Sequence, residues 1–65
     1  MLYVIKREKD GAYLCDITRI HEGANYTREL DAATLYGSED AARAEVRRGE
    51  RIQAVEGRLT EVLRG

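Results

Sequence analysis

Cys15 and His21 are the single cysteine and the single histidine of this chain. A cysteine–histidine nucleophilic pair requires direct hydrogen-bond reach between the two side chains. Here Cys15 falls in an alternating stretch that turns it towards a core, whereas His21 opens a segment broken by Gly23 and Asn25. Cys15 therefore reads as a small buried hydrophobe and His21 as a loop residue. His21 stands beside Glu22, but no second histidine or cysteine completes a tetrahedral zinc set. The carboxylates lack the alternating spacing and terminal Glu of a calcium loop. The six glycines are scattered as turn and cap residues and form no phosphate cradle. The expectation is a chain with no catalytic residues, no metal and no cofactor.

What remains is charge and its placement. The formal net charge is −1, so no whole-molecule field points to nucleic acid. The middle of the chain is acidic: Glu22, Glu29, Asp31, Glu39 and Asp40 stand against Arg28 alone in residues 22–40. With Tyr26 and Tyr36 they form the candidate partner-binding set, because tyrosine beside carboxylates suits a protein contact. Arg43, Arg47, Arg48 and Arg51 form a possible phosphate-binding ridge. However, Glu39 and Arg43 have the spacing of a helical ion pair, as do Glu45 and Arg48. No aromatic residue interleaves with these arginines to stack bases, which argues against direct nucleic-acid binding.

The elements that must carry these residues are few. A chain of 65 residues makes one small domain, 1–65, which buries only ~60% of its unfolded surface. A lone cysteine excludes an internal disulfide and fits a reducing cytosolic compartment. The apolar run Leu2–Ile5 is too short for a membrane span or signal peptide, and no lipidation signal is seen, so no membrane association is expected. Residues 2–8 and 12–20 read as a β-hairpin. Its three-residue loop, with Gly11 left-handed, pairs Arg7 with Tyr13, Ile5 with Cys15 and Tyr3 with Ile17. A loop over 21–28, a helical turn over 30–33 and a short strand over 34–36 follow. Ser38 has the character of an N-cap, with Glu39 and Asp40 where the helix dipole favours acids. Helices are expected over 39–48 and 50–63, the second because Ile52, Val55, Leu59, Val62 and Leu63 gather on one helical stripe. The fold class is thus α+β: a three-stranded antiparallel sheet with both helices on one face.

Residues 26–41 carry an aromatic–Thr pair (Tyr26-Thr27), then Leu30 and Ala33, an apolar–aromatic pair (Leu35-Tyr36), and Ser38-Glu39-Asp40-Ala41 opening a helix. Following a hairpin, this order resembles that of many short phage and prophage proteins, although tyrosine stands where Trp and Phe are more usual. Proteins of this size and style include anti-CRISPR proteins. The Arg- and Ala-rich, Lys-poor composition suggests a GC-rich bacterial host, as for many inhibitors of type I systems. The resemblance implies an inhibitor, cytoplasmic in the infected host and monomeric or homodimeric, that binds a CRISPR–Cas effector subunit and blocks DNA access through its acidic surface. Two alternatives stand beside it. One is a small nucleic-acid-binding accessory protein using the helix arginines. The other is a structural phage protein or homodimer burying Leu2, Val4 and Leu14 on an open sheet face.

Overall fold

The computed structural model describes residues 1–20 and 24–55. Four strands form one antiparallel sheet: β1 (Leu2–Arg7), β2 (Tyr13–Leu14), β3 (Tyr26–Thr27) and β4 (Glu50–Val55), in the order β3-β2-β1-β4. A 3-10 turn spans Leu30–Ala32 and one short helix, α1, spans Glu39–Arg43. The α+β class and the hairpin-based antiparallel sheet are as expected, with four strands in place of three.

The hairpin register differs from the expected one by one residue. Lys6 pairs with Tyr13, and the loop closes where the Arg7 N–H donates to the Ala12 carbonyl and the Gly11 N–H to the Arg7 carbonyl. Gly11 is left-handed as anticipated, with φ 75°. However, Asp10 lengthens the loop by accepting the Ala12 N–H on its carboxylate and clasping Arg7. A one-residue slip moves every side chain to the opposite face. Leu14 therefore joins Ile5 and Tyr13 joins Val4, while Ile17 lies outside the core at 48% exposure. Cys15 is half-buried, its Sγ donating weakly to the Ala24 carbonyl.

The largest correction is in the last element. Glu50–Val55 is a strand, fully paired with β1 from Leu2↔Val55 to Arg7↔Glu50, and not the start of a helix. The remainder of the expected helix, 56–63, lies outside the described residues. The first helix also stops early, at Arg43, followed by turns that reach a left-handed Gly49 at φ 83°. Its N-terminus forms as read: Ser38 Oγ accepts the Ala41 N–H at 3.2 Å.

The layers also differ from a one-sided sheet. Val4 and Ile5 are successive in β1, so they point to opposite faces, and both are fully buried. Val4 packs with Leu2, Val55, Leu30, Ala33 and Leu35, whereas Ile5 packs with Leu14, Ile52, Ala42 and Val46. The 3-10 segment therefore covers one face and α1 the other. Between them the chain passes the sheet beside β1, where Tyr3 and Tyr36 exchange backbone hydrogen bonds of 3.0 and 2.9 Å. That single bridge is what the expected strand over 34–36 amounts to. Burial of Val4 and Leu14 inside the chain also takes away the open apolar face suggested for a homodimer.

Candidate functional site

Of the seven residues singled out from sequence, the six that are described are not gathered on one surface. Glu22 lies outside the described residues. Glu29 and Asp31 are exposed around the 3-10 turn, on the Val4 face of the sheet, while Glu39 and Asp40 are exposed on α1, over the Ile5 face. Glu39 is further engaged by Arg43 in an i,i+4 ion pair. Both tyrosines point inward. The Tyr36 hydroxyl is buried without a partner among the described residues, and burial, with Glu45 nearby, raises its pKa.

Tyr26 belongs to a buried polar cluster that sequence reading missed. Its hydroxyl donates to Glu50, and the Arg7 guanidinium lies 4.0 Å from its ring centroid. Glu50 also accepts two hydrogen bonds from Arg19: Nη1 to Oε2 at 2.7 Å and Nη2 to Oε1 at 3.0 Å. The Glu50 side chain is 2% exposed and that of Arg19 6%. Arg19 Nη2 also donates to the Glu45 carbonyl at 2.7 Å, and the Arg47 N–H donates to Glu50. Burial pushes the Glu50 carboxyl up, but hydrogen bonds from Arg19, Tyr26 and the Arg47 backbone outweigh it and leave its pKa below the ordinary value. Desolvation and the Glu50 charge together raise the pKa of Tyr26.

Arg19 is reached through a shaped loop. The Asp16 carboxylate accepts both the Thr18 N–H and the Thr18 hydroxyl, and its carbonyl accepts the Arg19 N–H at 3.2 Å. This is an Asx-type turn that folds the backbone back on itself. It leaves Arg19 at φ 56°, a left-handed conformation that side chains other than glycine rarely adopt. The Cys15 and Asp16 N–H groups both donate to the Asn25 carbonyl, fixing the base of the loop against β3. With Arg19 turned inward, Ile17 and Ile20 project outward at 48% and 74% exposure. Beside Met1, they are the large hydrophobic side chains exposed among the described residues.

A second charged group lies at the hairpin end. Arg7 clasps both Asp10 oxygens, at 3.0 and 2.6 Å. These hydrogen bonds and that from the Ala12 N–H hold the Asp10 carboxyl well below the usual carboxylate range. Among the described residues no group of three or more His, Cys, Asp or Glu is placed to hold a metal ion, and no helix is long and apolar enough to cross a membrane. No family model matches the chain, and no curated protein or solved structure matches it.

Proposed function

We propose that this chain is a phage-encoded inhibitor of the anti-CRISPR kind, which covers a surface of a host CRISPR–Cas effector complex and blocks its access to DNA. The partner class rests on the resemblance carried by Tyr26–Ala41. The mode of action, binding without chemistry, rests on the Asp16–Ile20 loop. An ion pair withdrawn from water adds little net stability over apolar packing, and its best-attested use is to fix one geometry. A left-handed arginine adds strain of about 1–3 kcal/mol, the kind found at functional positions. In a small domain, both devices hold one short loop whose outward side chains include two isoleucines. Scattered exposed aliphatics are ordinary, but two on a loop pinned by a buried clamp make a rigid apolar tip suited to a pocket on a protein partner.

The acidic residues take a different part from that expected of one acidic surface that blocks DNA access. Carried by layers on opposite sides of the sheet, they steer encounter with a basic partner while the loop makes the contact. The test is binding of the purified chain to a type I CRISPR–Cas effector complex. The double variant Ile17→Ser/Ile20→Ser should lose binding at unchanged melting temperature. The triple variant Glu29→Lys/Asp31→Lys/Asp40→Lys should mainly slow association. Loss of binding only in the charge-reversed variant would move the contact to the acidic residues, and absence of binding by the wild type would remove the proposed target.

A further inference from the structure

Two adjoining clefts at the hairpin end share Arg7, Lys9 and Tyr26 in their walls. Arg28 borders the first and Arg48 the second, so Arg28, Lys9 and Arg48 line a path across both. The acidic neighbours are largely spent: Asp10 is clasped by Arg7, and Glu50 is enclosed by Arg19 and Tyr26. Arg28 donates through Nη1 to the Asp10 carbonyl at 3.3 Å and lies 4.0 Å from the Asp10 carboxylate, yet its side chain is 75% exposed. Exposed Glu8 is the remaining carboxylate of the clefts. On the opposite face of the same sheet end, Lys6 and Arg51 stand directly across from one another. Like charges in register weaken a sheet, and both belong to an end where positive charge accumulates.

We infer that this end of the sheet is a phosphodiester-binding surface, on which Arg28, Lys9 and Arg48 follow the backbone of a nucleic-acid strand. The ligand class follows from the chemistry: exposed cations in a row, set along open clefts where Asp10 and Glu50 are already paired, match a chain of regularly spaced monoanions. The surface is distinct from the Asp16–Ile20 loop and goes beyond the proposed inhibition. It also differs from an arginine ridge on a helix, since Lys9 comes from the hairpin loop, Arg28 from the end of β3, and Arg48 from the turn before β4.

Fluorescence anisotropy of the full chain with labelled single-stranded RNA and with duplex DNA, across a salt series, tests it. Three phosphate contacts predict a log–log salt slope of about −2 to −3. Lys9→Glu/Arg28→Glu/Arg48→Glu should abolish binding to both, with the melting temperature checking the fold, whereas Arg43→Glu on α1 should leave the slope unchanged. Ile17→Ser/Ile20→Ser should bind nucleic acid normally, which separates this surface from the proposed inhibitory contact. Absence of binding at low salt, retention of the slope in the triple variant, or equal competition by polyglutamate would overturn the assignment.

Discussion

Arg19 and Glu50 are 31 residues apart in sequence and meet in a two-pronged ion pair that is almost wholly withdrawn from water. The pair joins the loop after β2 to the first residue of β4, the edge strand on the far side of β1. It couples the loop's shape to closure of the sheet. Tyr26 completes the join from β3, so three separate parts of the chain converge on one carboxylate.

Removing either partner leaves an uncompensated buried charge, which typically costs about 3–5 kcal/mol. A domain of this size has a total stability of about 3–10 kcal/mol. Arg19→Ala and Glu50→Ala should therefore each lose about a third or more of the total stability. Arg19→Met/Glu50→Leu should be more stable than either, because apolar groups of similar volume remove both charges together. Urea denaturation of the three variants measures this. Equal stability of the single variants and the wild type would mean that the pair is not formed.

Tyr26→Phe deletes the hydroxyl that donates to Glu50 while keeping the ring under Arg7. A buried acceptor losing such a donor costs about 1–3 kcal/mol. Glu50 retains Arg19 and the Arg47 N–H, so the lower end of that range is expected by thermal denaturation, with the sheet preserved.

The acid response has a definite sign. Asp10 and Glu50 have folded pKa values below their ordinary values of 3.8 and 4.5. Their contribution to stability is thus complete above the ordinary values and declines as pH falls from there towards the folded values, where the unfolded chain binds more protons. Melting temperature should be flat from neutral pH to near 5 and fall below about 4. Asp10→Asn should have a lower melting temperature at neutral pH and a shallower acid decline.

Gly11 needs its positive φ to close the hairpin. An added Cβ would meet only the Lys6 side chain, at 3.5 Å, an ordinary contact. Gly11→Ala should thus cost about 1 kcal/mol, from backbone conformation and not from crowding. Gly37→Ala, in open space and without a positive φ, should lie within about 0.5 kcal/mol of wild type in the same assay.

Local chemistry was legible in the sequence and long-range chemistry was not. Ser38 as a cap, Gly11 as a left-handed turn and residues 30–33 as a helical turn are signals written within a few positions. The strand Glu50–Val55 was misread because both faces of the sheet are covered, so Ile52 and Val55 are each apolar while pointing opposite ways. A sheet buried on both faces loses the polar–apolar alternation that marks a strand, and the spacing of Ile52 and Val55 then imitates a helix. The hairpin register slipped because the loop is held by the Asp10 side chain, which backbone turn rules do not include. The Arg19–Glu50–Tyr26 cluster had no sequence signal once Glu50 was assigned to a helix. The acidic residues looked like one island because they are near in sequence, yet the chain crosses from one face of the sheet to the other at Tyr36 and divides them.

The most direct measurement is the affinity of the purified chain for a type I CRISPR–Cas effector complex, compared with that of Ile17→Ser/Ile20→Ser at matched melting temperature. Measurable binding by the wild type, lost or weakened at least 100-fold in the variant, is the predicted result; that loss corresponds to about 2.7 kcal/mol of contact energy at the loop tip. Equal affinity of the two proteins, or no binding by either, would contradict it.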